Sequence, residues 1–140
     1  MAIKHILYPN IKCQYLDLQA DLNFDSNLLL LWGDSGEGKT LLAEMLKQPS
    51  DKYNIKVFDY RDSKGQAYKD FKSFIKNESG YLVVIDNADL LLDEESREEI
   101  CLNNNNQYLI IGRNPSDLCI TYNEIKKLQI KNNILTLTNL

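Results

Sequence analysis

Five apolar residues in unbroken succession, Leu28-Leu29-Leu30-Leu31-Trp32, run straight into Gly33-Asp34-Ser35-Gly36-Glu37-Gly38-Lys39-Thr40. A run with no polar position fits a strand covered on both faces, as in a parallel sheet, rather than one wetted on one side. Three glycines then break the strand. Residues 39–47 resume as a helix with Leu41, Leu42, Met45 and Leu46 on one face, ended by Pro49 and Ser50. A buried strand, a glycine-rich turn and a helix therefore follow in direct succession, and they fix the centre of the fold.

The middle of the chain repeats that alternation. Residues 55–59, 81–86 and 108–112 read as strands, the last two continuously apolar. Ala67, Phe71, Phe74 and Ile75 recur at helical spacing, and Gly80 is expected to close that helix. Asp93 is placed to cap a further helix, with Glu94 and Glu95 at the positive end of its dipole; the asparagine run 103–106 stops it. Strands alternating with helices predict an α/β fold with a mainly parallel sheet and right-handed crossovers.

Extra antiparallel strands are expected from both ends. Residues 3–7 and 15–24 read as strands, the second with Leu16, Leu18, Ala20, Leu22 and Phe24 alternating with polar residues, after a turn at Tyr8-Pro9-Asn10. The tail, 125–140, reads as two strands folded about Asn132-Asn133. At 140 residues the chain fits one domain, with N-terminal strands in 1–27, a core over 28–115 and C-terminal strands in 116–140.

Composition removes several classes of function. A net charge of −4 gives no indication of a nucleic-acid or membrane-surface binder. No apolar run reaches membrane-spanning length. Cys13, Cys101 and Cys119 are odd in number and widely spaced, which speaks against a disulfide scaffold or zinc site and for a reducing cytoplasm. With His5 the single histidine, a histidine-rich metal centre or a Ser-His-Asp triad is excluded; His5 itself reads as a strand residue. The acidic run 93–99 reads as a solvated helix face.

Gly33 to Thr40 match GxxxxGK[ST], the Walker A or P-loop pattern. Glycines let successive backbone N–H groups turn inward around phosphate oxygens, and the helix that follows aims its positive end at the same point. Residues 33–41, including Asp34, Ser35, Gly36, Glu37, Gly38 and Leu41, are the expected nucleotide-binding stretch. Lys39 is expected on the β- and γ-phosphates and the Thr40 hydroxyl on Mg²⁺. Leu82-Val83-Val84-Ile85-Asp86 then supplies an acid at the end of a buried strand, where α/β sheets bind ligands, so Asp86 is the second expected metal residue.

On GDSGEGKT and LVVIDNAD, the stretch 28–115 resembles the P-loop NTPases, and among them the additional-strand ATPases that include AAA+ and related signalling ATPases. The resemblance implies a three-layer P-loop sandwich with the Walker A strand central, the Walker B strand not beside it, and Mg-ATP as ligand. It implies a γ-phosphate sensor after the strand 108–112, with Asn114 the candidate, and Arg113 as a transition-state cation in cis or an arginine finger in trans. After Pro115 only strands are read, so the helical lid usual in AAA+ proteins is not expected.

Where these ATPases commonly carry a glutamate, this chain has Asn87, and an amide orients water without accepting its proton. Asp89 is the candidate replacement; Glu37, inside the loop, is a further carboxylate near the phosphates but reads as solvent-facing. Two readings stay open. One is slow Mg-dependent hydrolysis of the β–γ bond by Lys39, Asp86, Asn87, Asp89, Arg113 and Asn114, completed by a protein partner or self-association. The other is a non-hydrolysing ATP switch acting on a protein partner. GTP is disfavoured because NKxD is missing, although Asp62-Ser63-Lys64-Gly65 matches DxxG. Only Arg61, Arg97 and Arg113 are present, too few for a small-molecule kinase.

Overall fold

A computed structural model of the chain describes residues 6–33, 38–103 and 105–140. Among them, eight strands form one mixed sheet: β1 Asn10–Tyr15, β2 Leu18–Asn23, β3 Leu28–Leu31, β4 Ile55–Phe58, β5 Leu82–Ile85, β6 Gln107–Ile111, β7 Ile125–Lys131 and β8 Ile134–Asn139. The helices are α1 Lys39–Leu46, α2 Gly65–Asn77, α3 Ala88–Leu91 and α4 Glu94–Leu102. The fold is α/β, and the sheet order is β1-β2-β8-β7-β3-β6-β5-β4.

The continuously apolar segments occupy the middle of this order because both of their faces are covered. In β3, Leu29 and Leu31 share a core with Leu42, Met45 and Leu46 of α1. The alternate residues Leu28 and Leu30 join Phe71 and Ile75 of α2, Leu91 of α3 and Ile100 of α4. Since successive strand residues point to opposite faces, helices cover the sheet on both sides. β7, β3, β6, β5 and β4 are mutually parallel, with β6 lying between β3 and β5.

The ends of the chain differ from expectation in instructive ways. The segment 15–24 is not one strand but the second half of a hairpin, in which β1 and β2 pair antiparallel from Asn10↔Asn23 to Tyr15↔Leu18. The turn falls at Leu16, which has φ 58 and is exposed. Asn10, expected in a turn, begins β1. Most of the expected strand 3–7, with His5, lies outside the described residues, and Ile6 and Leu7 are in no strand.

β7 and β8 do form an antiparallel hairpin about Asn132 and Asn133, both with positive φ, as a two-residue I′ turn requires. The terminal strands are nevertheless not joined to the core by antiparallel pairing. β7 pairs parallel with β3, and β8 parallel with β2.

Three local expectations also change. α2 ends at Asn77, ahead of Gly80. Asp93 caps α4 as expected, accepting from the Ser96 N–H at 2.8 Å; Asp93, Glu94, Glu95 and Glu98 of the acidic run are exposed, whereas Ser96 and Arg97 are buried. Cys101 of α4 and Cys119 of the loop after β6 form a disulfide with Cα atoms 5.7 Å apart, correcting the expectation of unpaired cysteines. Cys13 is free. Among the described residues, no helix is long and apolar enough to cross a membrane.

Candidate functional site

The parallel registers bring the C-terminal ends of three strands together, with Leu31 opposite Ile111 and Ile85 opposite Ile110. The residues that leave these ends form a cleft of about 290 Å³ whose walls include Gly33, Lys39, Thr40, Asp86, Asn87 and Arg113. The start of α1, the end of β5 and the loop after β6 thus meet in one place. Asp34, Ser35, Gly36 and Glu37 lie outside the described residues.

Lys39 begins α1 and is only 4% exposed, while Thr40 beside it is exposed. Gly38 precedes them with φ 89, a conformation that side-chain-bearing residues resist. A Cβ at Gly38 would also lie 2.8 Å from Ile130 Cδ1, because the β7–β8 hairpin packs against this turn. Leu41 does not line the cleft; it packs on the core with Leu18, Leu128 and Leu137.

Asp86 is 7% exposed and accepts the Asn87 N–H at 2.9 Å. Burial pushes its carboxyl above the ordinary range against the pull of that N–H; the Asp59 charge adds to the rise, while Lys47 and Lys39 oppose it. Asp59 follows β4 and is gripped by Arg61 at 2.6 Å and Lys47 at 3.0 Å, with the Arg61 hydrogen bond the main cause holding its carboxyl well below the usual range. Lys47, Asp59 and Arg61 do not line the cleft and carry no sequence motif; Asp59 and Lys47 reach Asp86 through their charges. The DxxG match is spent locally, since Asp62 accepts the Asp59 N–H in a capping box and Gly65 opens α2.

Asn87 lines the cleft in a left-handed conformation, φ 53 and ψ 44, at the start of α3. Asparagine tolerates that region and glutamate does not, so the backbone itself favours the residue found here. Asn87→Gly is expected to retain the native stability within about 0.5 kcal/mol, and Asn87→Glu to lose about 1 kcal/mol, read by urea denaturation. Equal stability of wild type and Asn87→Glu would remove this explanation.

Asp89 lines the same cleft, with its carboxylate already hydrogen-bonded. Its carboxylate accepts the Arg113 N–H at 3.1 Å and the Asn114 N–H at 3.3 Å. Gly112 allows that approach, since a Cβ there would sit 3.0 Å from Asp89 Oδ1. Arg113 lines the cleft, whereas Asn114, the expected phosphate sensor, does not; its side-chain oxygen accepts the Ser116 N–H at 3.0 Å. Among the described residues no cluster of three or more His, Cys, Asp or Glu gathers. A site of one hydroxyl and one carboxylate suits Mg²⁺, which fills its other positions with water and phosphate oxygens. Comparison of the sequence with protein-family models and with curated proteins gives no match.

Proposed function

We propose that this chain is a P-loop nucleotide-binding module that takes Mg-ATP, with a three-layer sandwich as its architecture. The observation that carries the reading is the convergence of Lys39, Thr40 and Asp86 on one cleft at the C-terminal edge of a parallel sheet. The sheet order supports it, because β6 separates the Walker A strand β3 from the Walker B strand β5, as the sequence resemblance implies. Helices on both faces of the sheet support it further.

In this reading the motif 33–40 would bind the phosphates, Lys39 would contact the β and γ groups, and Thr40 with Asp86 would hold Mg²⁺ directly or through water. Bound Mg²⁺ supplies neutralisation of the phosphate oxygens. Arg113 provides a second cation at the cleft wall.

Hydrolysis is slow or absent. Asn87 cannot take a proton, and Asp89 is engaged by two backbone N–H groups. That engagement favours the switch over the ATPase, with a protein partner or a second copy reading the bound state. A single-turnover assay decides between them: excess protein is mixed with Mg-ATP and bound nucleotide is resolved over several hours. Intact ATP supports the switch, and conversion to ADP makes the protein a slow ATPase.

A further inference from the structure

Arg97 stands alone among the acids of residues 93–99, and its guanidinium is 5% exposed. Burying that charge costs several kcal/mol unless its donors are satisfied. Nε donates to the Leu92 carbonyl at 3.4 Å, and Nη1 to the carbonyls of Asn114 at 2.5 Å and Ser116 at 3.0 Å. Nη2 lies 3.7 Å from Asp89 Oδ1. The planar fork thus reaches the end of α3 and the loop after β6 together, which a lysine ammonium cannot reproduce.

The same loop is also held by Asp89, which accepts the N–H groups of Arg113 and Asn114. Arg97 does not line the cleft, but Gly112 and Arg113, at one end of this doubly held segment, do.

We propose that Arg97 is a positioning residue which, with Asp89, latches residues 112–116 so that Arg113 is set for the terminal phosphate of a nucleoside triphosphate. The inference rests on the nucleotide-binding reading above. Lys39 keeps its β-phosphate contact with either nucleotide, whereas a displaced Arg113 is felt through the γ-phosphate that only the triphosphate carries. The latch therefore governs discrimination between ATP and ADP rather than binding as such. It also gives Asp89 a role other than that of general base.

The test measures Mg-ATP and Mg-ADP affinities by calorimetry, with melting temperatures, for wild type, Arg97→Lys, Arg97→Met, Asp89→Asn and Asp89→Ala. Arg97→Lys is expected to weaken Mg-ATP about 10-fold and Mg-ADP by less than about 3-fold. Asp89→Asn, which keeps an acceptor oxygen, should retain more of the ATP/ADP ratio than Asp89→Ala. Should Arg97→Met fail to fold, Arg97→Lys and the Asp89 pair still carry the comparison. Equal losses for both nucleotides, or an unchanged ratio in every variant, would overturn the latch alone. A wild type that binds neither nucleotide overturns the latch and the nucleotide reading together.

Discussion

Replacing Lys39 by alanine is expected to weaken Mg-ATP binding about 100-fold while the fold survives, a loss of about 2.7 kcal/mol. The size follows from removing a charge-assisted contact to phosphate, worth about 1.5–3 kcal/mol per bond, in a site shielded from water. Lys39 is buried at the start of α1, so its ammonium is shielded from water in the cleft it lines. Lys39 lines the cleft and belongs to neither apolar cluster, so the loss is expected to fall mainly on binding. A melting temperature near that of wild type, with affinity sharply reduced, is the expected pair of observations. Loss of folding would instead assign Lys39 a structural role.

The second large effect concerns Asp86. Asp86→Asn is expected to weaken Mg-ATP binding by about 10- to 100-fold, to remove most of its dependence on Mg²⁺, and yet to stabilise the nucleotide-free protein. The sign follows from linkage. Burial raises the carboxyl above its unfolded value, helped by Asp59 and opposed by the Asn87 N–H, Lys47 and Lys39. The native state therefore binds more protons than the unfolded state in the window between the two values. This group's contribution becomes more favourable as pH falls through that window and is least favourable at neutral pH. An asparagine has the same shape without the charge, and relieving such a site adds on the order of 1 kcal/mol. Melting in EDTA at pH 7 and near pH 4 checks this: the advantage of Asp86→Asn should shrink at the lower pH. A less stable variant at pH 7 would show that Asp86 acts in the free protein as a structural anchor.

What the sequence made legible follows from the physical strength of each signal. The apolar runs 28–31, 82–85 and 108–111 survive as strands in the fold because burial on both faces needs unbroken apolar residues, and Gln107 extends the last of them by one position. The Asn132-Asn133 turn was legible because asparagine tolerates positive φ.

The β1–β2 hairpin was not, since Leu16 extends the alternation of β2 backwards through the turn and disguises it. α3 has four residues, too few to express a helical period. Within the site, Lys39, Thr40 and Asp86 were readable from motif and spacing. The roles of Asp89 and Arg97 were hidden, because their partners lie at positions 113–116, brought near only by the end of β6. Cys101 and Cys119 are separated by 18 positions and meet through the same loop.

Calorimetric titration of the wild-type protein with Mg-ATP is the most direct measurement. A saturable, one-to-one isotherm that Lys39→Ala weakens about 100-fold is the predicted outcome. An absence of saturable binding in the wild type, or equal affinity in Lys39→Ala, would mean that the cleft at the end of β3, β5 and β6 does not hold a nucleotide.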